Sequence, residues 1–150
     1  MTTASEKANK QLIHEYFDAW EERNPEAIAE FFADDFSSSY TDPTGEEVTI
    51  KAEDVQEWLA GYLGILCEYT HEIHELVAED DWVIARITYS FVNDEEYLGI
   101  EPTGNQVDVK DYLSFRLEDG SIVELHTLAD QLNLFNQIGV DTEVDRVAVQ

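Results

Sequence analysis

Apolar positions along the chain fall into two regimes. From Asn9 to Arg23, Leu12, Ile13, Tyr16, Phe17 and Trp20 recur at helical spacing, predicting one amphipathic helix. Asn24-Pro25 then supplies a cap and a first-turn proline for a second helix, Pro25 to Phe32, with Ala27, Ile28, Phe31 and Phe32 inward. Phe36 to Tyr40 reads as a short strand, and Thr41-Asp42-Pro43-Thr44-Gly45 as a turn. Ala52 to Leu66 forms a third helical stretch carrying Val55, Trp58, Leu59, Tyr62 and Leu66, with Gly61 and Gly64 weakening its last turn.

Beyond Leu66 the period changes to two. Strands are predicted at Tyr69 to Ala78, Trp82 to Val92, Gln106 to Arg116 and Ile122 to Asp130. Glu79-Asp80-Asp81 turns the first pair, and the Asp119-Gly120 dipeptide is a hairpin signal for the second. Leu132 to Ile138 reads as a short helix or strand end, and Asp141 to Gln150 as a charged tail. Helices followed by a run of antiparallel strands is an α+β order rather than βαβ alternation. The 150 residues suit one domain, with a core at about 9–140. A curved sheet over three helices would leave a cone whose interior is either core or pocket.

Charge changes the picture. Thirty-four acids stand against eight lysines and arginines, a net charge of −26. That surface repels phosphate backbones and anionic headgroups, which argues against nucleic-acid and membrane partners. The acids are spread along the chain rather than gathered in a tail, a pattern expected of a protein adapted to a salt-rich cytoplasm. The polar stretch from Met1 to Gln11 has no apolar signal-peptide region, and a single cysteine, Cys67, cannot form an internal disulfide. Both fit a cytoplasmic location, with Cys67 expected to be an inert buried thiol.

Several features together resemble one family. These are Gly99 with Pro102-Thr103-Gly104, the strand end Phe115-Arg116, the Glu118-Asp119-Gly120-Ser121-Ile122 hairpin and the closing stretch Asp130 to Gly139. With Tyr16 to Phe36 upstream, their order and spacing are similar to the SnoaL-like polyketide cyclases of the nuclear-transport-factor-2-like superfamily. The resemblance implies a cone-shaped fold of three N-terminal helices on a curved, mainly antiparallel sheet. It also implies no metal or organic cofactor, and a homodimer or higher oligomer. Characterised members close a ring by intramolecular aldol chemistry, using an aspartate near the end of the last long strand; the matching position is Asp130. The chain departs from the family at His126 and Ala129, where tryptophans are usual, and at Ser39 and Asn93, where histidine or a similar group is usual.

Two roles are open for Asp130. Pointing into an apolar cone, its carboxyl would be raised by desolvation and suit proton transfer, with His126 on the same face assisting. Alternatively, Asp130 caps the turn that follows. Tyr16, Trp20, Trp58, Tyr62, Tyr89, Tyr112 and Leu128 are candidates for the pocket wall, although spacing alone makes the aromatics core. His71 and His74 have the wrong spacing for a zinc site on either a strand or a helix, and His14 lies beside the helix stripe. No nucleophile elbow or phosphate-binding glycine motif is present.

Three functions remain: an acid/base isomerase or cyclase acting on a small hydrophobic carbonyl compound, a non-catalytic binder, or a dimerising module with a filled cone. A cavity above about 300 Å³ with Asp130 on its wall would discriminate among them. A dimer through the sheet is expected from apolar residues on both faces of the last strands: Val107, Val109, Leu113, Phe115, Val123, Leu125 and Leu128. The charge reading carries its own test. Melting temperature should rise steeply between about 0.1 M and 2 M KCl, as screening shortens to about 3 Å; a flat curve would refute salt adaptation.

Overall fold

The computed structural model describes residues 1–142; most of the tail expected at Asp141 to Gln150 lies outside that range. The helix α1 spans Ala4–Glu22 and begins five residues earlier than the apolar period indicates. The reason is a reciprocal cap. Thr3 Oγ1 accepts from the Glu6 backbone N–H at 3.1 Å, and the Thr3 N–H donates to Glu6 Oε1 at 2.7 Å. Glu6 Oε2 also accepts from the Asp80 N–H at 2.8 Å, so the same side chain ties the helix start to a distant turn.

Helix α2, Pro25–Ala29, is capped by Asn24, whose Oδ1 accepts from the N–H groups of Glu26 and Ala27. It stops short of the predicted Phe32 because the following backbone pairs elsewhere. Ile122 donates to Phe31 and Ala33 donates to Ile122, a short parallel bridge. Strands β1, Ser37–Thr41, and β2, Glu47–Lys51, make a two-stranded antiparallel hairpin. Sequence reading misses β2: its five residues hold only two apolar positions, Val48 and Ile50. A 3₁₀ turn at Ala52–Asp54 leads into α3, Val55–Ile65.

The main sheet is an antiparallel meander in the order β3 (Cys67–Glu79), β4 (Trp82–Val92), β5 (Gln106–Glu118) and β6 (Ser121–Ala129). The β5–β6 turn places Asp119 and Gly120 at φ 50° and 78°, the left-handed pair that matches strand twist in a tight hairpin. Helix α4, Gln131–Gln137, closes the described fold. No helix among the described residues is long and apolar enough to cross a membrane.

The inner face of the sheet packs on α1. Ile13, Tyr16, Phe17 and Trp20 meet Val83, Ala85 and Ile87 of β4 and Leu113 and Phe115 of β5, all buried, with the Tyr16 and Phe115 rings 5.3 Å apart edge to face. Val107, Val109, Leu113, Phe115 and Leu125 belong to this buried inner set, and Val123 is buried too. The argument for dimerisation from apolar residues on both faces therefore fails for them. Of the expected residues only Leu128 is exposed; with it the outer face shows Val77, Ile84 and Tyr112 to solvent.

Arg23 locks two helices together. It ends α1 in a left-handed conformation (φ 59°), and its guanidinium donates to the Leu63 and Leu66 carbonyls at the C-terminal end of α3. Those carbonyls have no partner within the helix, and a cation there also meets the negative end of the helix dipole. Arg23→Ala should destabilise the fold by about 1–3 kcal/mol in urea melts, with Arg23→Lys recovering part of the loss. An unchanged midpoint would show that solvent replaces the contact.

Candidate functional site

A cavity of about 830 Å³ opens between the inner face of the sheet, α1, α3 and the β1–β2 hairpin. Its wall is aromatic: Tyr16 and Trp20 come from α1, Tyr40 from β1, Trp58 and Tyr62 from α3, Tyr69 from β3, and Tyr89 from β4. Tyr97, from the β4–β5 connection, completes the set. The rings support one another, with Trp20 to Tyr69 at 5.6 Å and Tyr69 to Tyr89 stacked at 6.0 Å. A smaller cavity of about 400 Å³ lies alongside, and Tyr40, Trp58, Tyr62 and Tyr97 line both.

One carboxylate sits inside this wall, and it is Asp111. Along β5 the inward positions are Val107, Val109, Asp111, Leu113, Phe115 and Leu117, so a single acid interrupts an apolar row. Asp111 is 7% exposed and accepts a 2.7 Å hydrogen bond from the Thr127 hydroxyl of the neighbouring strand. Burial pushes its carboxyl up from 3.8 to about 6, opposed by the bonds from Thr127 and the Tyr112 backbone. Burial likewise raises the phenols of Tyr16, Tyr62, Tyr69 and Tyr89, and the Asp111 charge adds to each shift. These hydroxyls stay protonated around neutrality and are available as donors.

The residues expected from the sequence are placed unequally. Tyr16, Trp20, Trp58, Tyr62 and Tyr89 line the cavity. Tyr112 does not, because it follows Asp111 on β5 and the strand period turns it to the outer face, 56% exposed. Leu128, His126 and Asp130 border the cavity but are exposed, Leu128 at 78%. They alternate with Leu125, Thr127 and Ala129, and it is this second set that faces inward. His126 stacks on Trp82 with ring centroids 6.3 Å apart.

Asp130 occupies the N-cap of α4, its Oδ1 accepting from the Asn133 N–H at 3.2 Å. The desolvation that its proton-transfer role required is absent, and the cap geometry is present. The group that meets the burial requirement is Asp111. The sequence carries a signal for it: an aspartate at an inward position of a strand whose other inward residues are all apolar.

His71 and His74 point apart, as strand spacing demands. His71 lies against Glu21 at 3.1 Å, and His74 reaches the Thr88 hydroxyl on the outer face at 2.8 Å. Among the described residues no three His, Cys, Asp or Glu side chains gather as a metal site.

Comparison with known proteins agrees with this architecture. A SnoaL-like domain model matches residues 13–125. Among solved structures, AclR, a hydroxylase candidate from Streptomyces galilaeus, aligns at TM-score 0.80 and 25% identity, covering 94% of this chain and 87% of its own. A SnoaL-like polyketide cyclase candidate from Jannaschia sp. CCS1 aligns at TM-score 0.79 and 22% identity, covering 93% and 96%. The epoxide hydrolase/cyclase-like enzyme SalBIII of salinomycin pyran ring formation aligns at TM-score 0.69 and 22% identity, covering 85% and 95%. A search of curated proteins gave no significant match. With an α+β cone of N-terminal helices on a four-stranded antiparallel sheet, and a family match over most of its length, the chain belongs to the SnoaL-like domain family.

Proposed function

We propose that the aromatic cavity is the active site of an acid/base enzyme acting on a small, mainly apolar carbonyl compound, with Asp111 as the proton carrier. The observation that carries this reading is the buried Asp111 carboxyl, poised at about 6 on the wall of an 830 Å³ cavity. A carboxylate near that value is ionised at neutral pH, yet basic enough to take a proton from carbon next to a carbonyl. The protonated acid then returns that proton elsewhere, giving isomerisation or aldol-type ring closure. Thr127 holds the carboxyl in place, and buried phenols such as Tyr69 and Tyr89 can donate to the oxygen on which charge develops. A filled cone, as in a purely dimerising module, does not fit a cavity of this size.

Two measurements test the assignment of Asp111. The first is stability against pH. Below about pH 4 both folded and unfolded chains hold the Asp111 proton; between the unfolded value of 3.8 and the folded value of about 6 only the folded chain does. The stabilisation from Asp111 is therefore complete below 3.8 and is lost as pH rises through about 6. Asp111→Asn should be more stable than wild type by up to about 3 kcal/mol at pH 7.5, with the gap shrinking by pH 5. A variant that is destabilised at every pH would refute the burial argument.

The second is proton exchange. Wild type incubated in D₂O with a panel of cyclic ketones should introduce deuterium next to the carbonyl of those it accepts. Asp111→Asn should lose at least about 100-fold of that rate. Thr127→Val removes a bond that favours the ionised form, so the pH limb of exchange should move upward. Exchange that survives in Asp111→Asn would return the catalytic role to another residue.

A further inference from the structure

The charge around the cavity is one-sided. Besides Asp111, its ionisable lining groups are Asp42 at the β1–β2 turn, His126 and Asp130 at the end of β6, and tyrosines from α1, β1, α3, β3, β4 and the β4–β5 connection. The adjoining smaller cavity adds Asp54 and Glu57. Neither cavity has a lysine or arginine in its lining. The described arginines are engaged elsewhere: Arg23 on the carbonyls of α3, Arg86 with Glu75, and Arg116 with Glu118 and Glu124. Lys110, next to Asp111 in sequence, is exposed. Among the described residues, then, Asp111 is a buried carboxylate with hydrogen bonds and no cationic partner.

A buried charge of that kind is ordinarily paired or coordinated. Its surroundings here are ring faces, and electron-rich aromatic faces attract cations. Tyr16, Trp20, Tyr69 and Tyr89 supply such rings, and the phenols that feel the Asp111 charge come from four different elements. A neutral ligand would leave the carboxylate uncompensated, and an anionic one would face repulsion without relief. We infer that the cavity selects a small, mainly apolar organic cation, an alkylated amine or ammonium compound, seated among the aromatic rings with its positive charge against Asp111. This rests on the reading of the cavity as the active site and gives its substrate a charge. A positive centre close to the reacting carbon would also make the adjoining C–H more acidic, which suits a weak carboxylate base.

The experiment compares phenyltrimethylammonium with its uncharged isostere tert-butylbenzene, titrated by calorimetry in 2 M KCl. At that salt, surface attraction by the net charge of −26 is screened within about 3 Å, so a surviving preference belongs to the cavity. Wild type at pH 7.5 is expected to bind the cation at least tenfold more tightly than the isostere. Between pH 7 and pH 5 the cation's affinity should fall about tenfold, as a carboxyl titrating near 6 takes up its proton, while the isostere's stays flat. Asp111→Asn should bind both molecules alike, with no pH dependence.

Equal binding of the two by wild type overturns the inference, and so does a pH dependence that persists in Asp111→Asn, which would place it on another group. The wild-type pH arm stands by itself should the variant fold poorly. If the cation preference is absent while Asp111-dependent deuterium exchange is present, only the charge assignment falls. If exchange is absent as well, the acid/base reading falls with it.

Discussion

Burying the Asp111 carboxyl removes it from water without a lysine or arginine close by, and that penalty limits how the surrounding chain can be arranged. The carboxyl needs a donor, and Thr127 supplies one only because β5 and β6 pair with Leu113 opposite Thr127 and Asp111 opposite Ala129. A one-residue slip would turn Asp111 out to solvent and bring Tyr112 in. The tight Asp119-Gly120 turn and the one-residue register shift between Arg116 and Leu117 together set this register, so both are part of the site although they lie toward the far end of the two strands.

The same constraint explains why the helices matter to function. Tyr16 and Trp20 on α1 and Trp58 and Tyr62 on α3 reach the cavity only if the two helices keep their spacing. Arg23 and Glu6 hold that arrangement from opposite ends of α1, one bonded to the carbonyls of α3 and the other to the β3–β4 turn. In a chain with only eight lysines and arginines, committing Arg23 to two backbone carbonyls is a structural use of a scarce cation.

Much of this architecture is legible in the sequence, and what is not has physical reasons. The stripe from Ile13 to Trp20, the Asn24-Pro25 cap and the four long strands were legible because each repeats one period over enough residues to be unambiguous. The start of α1 was missed because Thr3 and Glu6 work through hydrogen bonds rather than apolar spacing. Strand β2 was missed because five residues carry too little pattern. For the cavity, most of the aromatics are legible in the sequence, whereas the buried Asp111 is not singled out and Asp130 is. The family pattern drew attention to the end of β6, where the backbone leaves the sheet and the carboxyl is released to cap α4. Parity along β5 pointed inward at Asp111, but parity becomes decisive only once the face against the helices is known.

The placement of the tryptophans has an optical consequence. Trp20 and Trp58 stand in the cavity wall, while Trp82 lies on the outer face beside His126. Indole emission responds to the polarity and charge of its immediate surroundings, so two of the three fluorophores share the cavity's environment and the third senses the imidazole. The protein thus carries an internal reporter of what occupies its cavity, together with a separate one for the opposite side of the sheet.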